Sequence, residues 1–462
     1  MPVLNKPKTN TKKIALGVAI AAQLSTSAAF AQQHVNSENT GSVLLYPFYN
    51  VENSNDTYVH VSNTTAESKA VKVRFMEARN SSVVLEFNVY LGPYDIFPLA
   101  ITQVGDGAAV LTNDASCTVP ALGTANGNYD GTQVELADGA ILRTQPFVPY
   151  QYASEAVSGL GRTLKGHAEV IEMGVVDSSI DVADCEVISK LWSDGAWTLD
   201  TSTDVTGPTG GLSGSSIYIN PEKAFSMNVD VTTIDGWAKP ATNYHAGPGT
   251  LLPTLNQGIS TATVFDGTDY VTLDYTKQTD GGVLATSAVL ATQSVFNEVQ
   301  TEVVIAAETD WVMTFPTKKY FTNATSAAAP FTEAYDSKVE TDTACETVNL
   351  TRFDRSSNKT TGSGTFVPEG SGVDGELCGN VSVMSFHPNS ALGVADTTAV
   401  DYPYGAGAAT VEMTQELPAD DNGVSVVGLP VIGFAGTRIV NGAMSYGYAQ
   451  QHKTLTITSG GI

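Results

Sequence analysis

Polar and apolar residues alternate one for one through much of the first hundred positions of the chain. Val59 and Val61 stand on one side of a pleated strand, with Tyr58, His60 and Ser62 on the other. Past the Asn63-Thr64-Thr65 turn, Val71, Val73 and Phe75 alternate with Lys72, Arg74 and Met76. Leu85, Phe87, Val89 and Leu91 then alternate with Glu86, Asn88 and Tyr90, up to the breaker Gly92-Pro93. This period-two pattern, rich in β-branched and aromatic residues and punctuated by Asn, Gly and Pro, predicts half-buried antiparallel strands. Strands in such quick succession predict a sandwich of immunoglobulin-like character.

The same grammar continues with longer connections. Residues 168–176, 215–220, 303–305, 311–315 and 454–457 read as strands, separated by Gly-, Thr-, Ser- and Asn-rich loops at 204–214, 322–329 and 356–372. Only 285–300 has helical composition, with Val289, Thr292, Val295, Phe296 and Val299 as its buried stripe. The expected fold class is all-β: immunoglobulin-like β-sandwich domains with long loops and at most one or two short helices. A shift in composition near 200–214 predicts an N-terminal sandwich domain over 32–200 and a C-terminal β-rich domain over 201–462.

The first 31 residues stand apart from this pattern. Lys6, Lys8, Lys12 and Lys13 precede an apolar run from Ile14 to Ala22, and Ala29-Phe30-Ala31 is a small-x-small cleavage pattern. The run is too short to span a bilayer, so 1–31 reads as a signal peptide cleaved after Ala31. The expected product is extracellular, with no transmembrane helix in the mature chain. Four widely spaced cysteines, Cys117, Cys185, Cys345 and Cys378, agree with an oxidising compartment. Three pairings are possible. The sequence-local one, Cys117–Cys185 with Cys345–Cys378, closes the shortest loops and is preferred.

Charge narrows the partners. The chain holds 48 acidic against 23 basic residues, a net charge of −25. The leader carries four lysines and no acid, so its removal leaves 19 basic residues and a net charge of −29. Such a surface repels nucleic acid and anionic headgroups and attracts divalent cations.

Few motifs in the chain carry chemistry. The six histidines show no spacing that puts two ligands on one face, and His60 and His167 read as surface or packing residues. There is no G-x-S-x-G elbow. The Gly-rich stretch Pro208–Ser216 leads into a strand, whereas a phosphate cradle leads into a helix. Glu169 and Glu172 would point to opposite faces of a strand, which argues against a glycosidase pair. Calcium is the cofactor with candidate ligands. Asn126, Asn128 and Asp130 mimic the first half of an EF-hand loop, but its twelfth position is Ala137. Asp266 with Asp269, and Asp420 with Asp421, are further oxygen-rich turns, although Asp-Gly and Asn-Gly dipeptides also serve plain hairpins.

Several blocks carry a resemblance. Tyr46-Pro-Phe-Tyr49, Ser62-Asn-Thr-Thr65, Lys69-Ala-Val-Lys-Val-Arg-Phe75, Tyr90-Leu-Gly-Pro-Tyr-Asp95, Gly166-His-Ala-Glu-Val-Ile-Glu-Met173 and Thr309-Asp-Trp-Val-Met-Thr-Phe-Pro-Thr-Lys318 resemble secreted surface-layer (S-layer) proteins of marine gammaproteobacteria of the Alteromonadales type. The resemblance implies an abundant exported protein that packs against copies of itself in a lattice on the outer membrane, near lipopolysaccharide or other polysaccharide. It brings no catalytic residues with it. The expected function is therefore structural and not enzymatic. One rival is a polysaccharide-binding or adhesive module, which needs exposed aromatic platforms such as Trp192, Trp197 or Trp237; core filling is the blander reading of these three. The other is a carboxylate-pair hydrolase, which needs a deep acidic cleft.

Overall fold

In the computed structural model, which describes residues 32–125, 130–323, 325–361, 366–368, 375–442 and 444–460, the apolar faces anticipated above meet across a β-sandwich. β1 (Val43–Asn50), β2 (Asp56–Asn63), β3 (Ser68–Glu77), β4 (Val83–Leu91), β5 (Ile96–Val104) and β6 (Gly107–Thr112) succeed one another along the chain. β7 (Lys165–Val176), β8 (Leu212–Asn220) and β9 (Phe225–Asp230) extend the two sheets. One sheet runs β1-β7-β3-β4 through its centre and the other runs β9-β8-β2-β5-β6, with every one of these pairings antiparallel. Val61, Val73, Phe75, Phe87, Phe97 and Val170 lie in the core between them.

The alternation in β3 predicts that Lys72 and Arg74 face solvent. Both are buried, because the sheet carries a further layer on its outer side. Thr250, Leu251 and Pro253 accept hydrogen bonds from these two cations, and Lys319 Nζ reaches Met76 Sδ at 3.1 Å. The polar side of the alternation marks a second interface here, in which Arg74 pairs with Glu169 and Glu86 while Lys72 and Lys319 meet uncharged acceptors. A short helix, α1 (Cys185–Ser193), starts at Asp184, whose carboxylate accepts from the N–H groups of Glu186 and Val187. Ser, Thr, Asp or Asn at this position satisfies otherwise orphaned donors.

The C-terminal half repeats the layered plan. β10 (Thr261–Phe265) and β11 (Tyr270–Asp274) form a hairpin, and α2 (Gly281–Leu290) is almost wholly buried. The anticipated helix over 285–300 stops at Leu290, and Ser294–Gln300 is a strand, β12. Val295, Asn297 and Val299 turn inward while Ser294, Phe296 and Glu298 do not, so period two wins over helical composition in this half. Then follow β13 (Ala307–Thr314), α3 (Lys319–Thr322), β14 (Asn349–Asp354), β15 (Val381–Ser385), β16 (Ala406–Glu412), β17 (Ile432–Asn441) and β18 (Met444–Gln451). One sheet contains β14-β16-β12 and the other β15-β13-β17-β18. Residues 303–305, read above as a strand, form a single 3-10 turn whose side chains are exposed. The described residues contain three short α-helices, one more than anticipated, within an otherwise all-β sandwich-type fold.

Strand pairing does not change at residue 200. β8, β9 and the strand Thr232–Asp235 all join N-terminal sheets, so the change of partners falls after Asp235. The two sandwiches also share a core, where Phe48, Tyr218 and Met227 meet Val312, Val383 and Phe434. Thr314 Oγ1 of β13 donates to the Pro47 carbonyl of β1, a polar contact across the same boundary, while Tyr218 Oη donates to the Phe48 carbonyl within the first sandwich.

Candidate functional site

An open groove of about 920 Å³ runs beside β3 and the end of β7. Its acidic lining comes from separate segments: Glu67 ahead of β3, Asp177 and Asp181 after β7, and Asp204. Asp177 Oδ1 accepts the Ser179 N–H at 2.8 Å and Asp181 Oδ1 accepts the Ala183 N–H at 3.1 Å. These hydrogen bonds shape the loop that closes the groove. Bonds from the Ser179 N–H and hydroxyl hold the exposed Asp177 carboxyl below its usual range, so it stays ionised. Glu67 Oε2 accepts Thr209 Oγ1 at 2.6 Å and stands 3.8 Å from Lys69 Nζ.

Behind this groove lies buried charge. Lys69 Nζ meets Glu172 Oε1 at 2.7 Å, with neither side chain exposed. The N–H groups of Thr209 and Gly210 donate to the two oxygens of the same carboxylate. The Gly-rich stretch therefore cradles an anion after all, and that anion is Glu172. Burial pushes the Glu172 carboxyl up, against the pull of Lys69 and these N–H donors. Three residues earlier on the opposite face, Glu169 pairs with Arg74, which also lies 3.5 Å from Glu86. The two glutamates are thus paired off separately.

The carboxylates anticipated as calcium ligands are engaged by their own turns. Asp420 Oδ1 accepts from the N–H groups of Asn422 and Val424, and its Oδ2 accepts from the N–H of Asp274 and from Asn422 Nδ2. Burial alone would raise the Asp420 carboxyl, but these donors outweigh it and hold it below its ordinary value. Asp421 Oδ2 accepts the Lys277 N–H, and Asp266 Oδ1 accepts from Thr268 and Asp269. Asp269 and Asp130 are exposed, whereas Asn126 and Asn128 lie outside the described residues. Asp266 and Asp420 thus each accept several N–H donors that build their turns.

Two of the histidines, His167 and His245, serve packing. His167 Nε2 meets Ser81 Oγ at 2.7 Å, a nucleophile–base spacing, but the two residues are only 1% and 2% exposed. Burial, with Lys319 nearby, pushes the His167 imidazole down to about 3 and keeps it neutral. His245 sits among Tyr90, Trp192 and Trp197, its ring 4.6 Å from that of Trp197. Trp197 and Trp237 are buried and Trp192 is half-buried, its Nε1 donating to Tyr90 Oη, so none of the three makes an open platform.

Both sequence-local disulfides are formed, Cys117–Cys185 and Cys345–Cys378, and no cysteine is free. Lys318, at the end of the β13 motif, is fully buried and donates to the Ala344 and Gly379 carbonyls, each next to a cysteine of the second bridge. It holds the chain beside the bridge and does not dock a neighbour. Among the described residues no helix is long and apolar enough to cross a membrane. The leader and Ala31 lie outside the described residues. No family model, curated protein or solved structure matches the chain.

Proposed function

We propose that the protein is a secreted structural component of the cell surface, which assembles with copies of itself into a layer bridged by divalent cations. The leader over 1–31 would export it, and the outer-membrane surface with its lipopolysaccharide is where the layer would form. The observation that carries this reading is the distribution of charge. Lys69, Lys72, Arg74 and Lys318, drawn from a small set of cations, are buried against carboxylates and carbonyls. Glu169, Glu172, Glu308, Asp310 and Glu346 are buried as well, so the surface keeps the acidic excess of the chain as a whole, 48 acids against 23 bases, and close-packed copies repel one another unless counterions intervene. Two disulfides and a core shared by both sandwiches suit a stiff repeating unit. Calcium is the expected bridging ion, held between subunits.

Negative-stain microscopy of the purified protein with calcium, and then with chelator, tests the proposal. Ordered sheets that dissolve on chelation are expected. A monodisperse monomer at high concentration, indifferent to calcium, would overturn it.

A further inference from the structure

The β10–β11 hairpin presents a patterned face to solvent. Ala262, Val264 and Leu273 point into the core of the second sandwich, so the residues between them stand on the outer side. Phe265 and Tyr270 oppose each other at the end of this ladder. Their ring centroids are 5.3 Å apart with the planes inclined at 52°, and the residues are 51% and 79% exposed. Further along the same side Thr263 opposes Thr272, and Gln32 Oε1 accepts from both hydroxyls.

Large rings exposed together forgo the burial that usually stabilises them, and such patches mark contact sites. We propose that this face binds a neutral polysaccharide. A pyranose offers an apolar face of C–H groups ringed by hydroxyls. Phe265 and Tyr270 match the first feature, and the amide and hydroxyls of Gln32, Thr263 and Thr272 match the second. The inclined rings form a shallow corner that takes one sugar unit against two aromatic faces, and the polar row beside them receives the next. Charge selects the class of glycan. With 48 acids against 23 bases, an anionic polysaccharide or headgroup approaches against repulsion, whereas a neutral one does not. Trp197 and Trp237 are buried and Trp192 is half-buried, and among the strongly exposed aromatics of the described residues (Tyr58, Tyr94, Tyr150, Phe265, Tyr270 and Tyr446) it is Phe265 and Tyr270 whose rings meet.

Affinity electrophoresis tests the inference. The purified chain is run through native gels containing mannan, dextran or glucomannan, beside the F265S/Y270S variant. Retardation of the wild-type chain in at least one gel is expected, with binding by the variant weaker by roughly tenfold or more, about 1.4 kcal/mol. Both rings are exposed, so the variant should keep the wild-type melting temperature; if it does not, Y270S alone replaces it. A wild-type chain unretarded in all three gels would overturn the inference, as would equal retardation of the variant. Loss in the variant of vesicle binding or self-association, with no polysaccharide binding by either chain, would assign the face to a different occupant and overturn it too.

Discussion

Asp310 accepts the backbone N–H of Leu392 at 3.0 Å, and the Leu392 carbonyl in turn accepts the side-chain amides of Asn50 and Asn55. One buried carboxylate in the second sandwich thus fixes a loop that reaches the first. Ser390 Oγ donates to the same Asp310 oxygen. Burial pushes the Asp310 carboxyl up, opposed by these donors. A raised acid favours the folded state at low pH and loses that contribution as pH rises through its folded value. D310N keeps an oxygen acceptor and removes the titration. It should match or exceed wild-type stability at neutral pH and lose that advantage as the pH falls toward the ordinary carboxylate range. D310A orphans the donors and should cost about 1–3 kcal/mol. Urea unfolding of the three proteins across pH 4–8 checks the sign, and a D310N curve parallel to wild type would refute it.

Arg74 supports a loop as well as a carboxylate. Its Nη2 donates to the carbonyls of Leu251 and Pro253 while Nη1 holds Glu169. R74M should destabilise by about 3–5 kcal/mol, because it strands a buried carboxylate. R74M/E169L removes both charges and should recover a substantial part of that loss. Limited proteolysis should cut both variants in the segment 246–254 before cutting wild type, since the double variant still lacks the donors for these carbonyls. Additive losses would show that the pair is not coupled.

These two residues also show how far the sequence could be read. Alternation in Val71–Met76 correctly separated two faces of a strand. It carried no information on what covers the second face, because the cover comes from residues 250–253 and 319, far along the chain. The same limit hid the acidic groove, whose carboxylates come from positions 67, 177, 181 and 204. Disulfide pairing was accessible through loop length. Asp-Gly and Asn-Gly turns were ambiguous by nature, because ion ligation and turn formation use the same oxygen-bearing residues at the same short spacing.

The disulfides offer a test of scale. They close loops separated by 68 residues for Cys117–Cys185 and 33 residues for Cys345–Cys378. Loop-closure entropy assigns each about 4 kcal/mol, slightly more to the longer loop. C345A/C378A carries a second consequence. Lys318 donates to carbonyls beside both cysteines, and burial pushes its ammonium down to about 8. A loosened site admits water and lets the ammonium return toward its ordinary value. Urea midpoints should fall for both double-alanine variants, and amide exchange near Ala344 and Gly379 should quicken only in C345A/C378A.

Calcium dependence can be separated from turn stability at Asp420. Its carboxylate accepts N–H donors from Asp274, Asn422 and Val424, which ties the β11 end to the 420–424 turn. D420A should therefore destabilise the monomer by about 1 kcal/mol, as the loss of a comparable capping carboxylate does. The depressed Asp420 carboxyl adds a pH signature of the usual acidic sign. Its contribution is present above the ordinary aspartate value and disappears as pH falls through the lower folded one, so wild type and D420A should converge in acid. If the oxygens of Asp420 serve only the turn, D420A lowers the melting temperature by the same amount with and without calcium. D420N, which retains one oxygen acceptor, should recover part of the loss. A calcium-induced rise in melting temperature that D420A abolishes would instead make Asp420 a ligand and overturn the turn assignment.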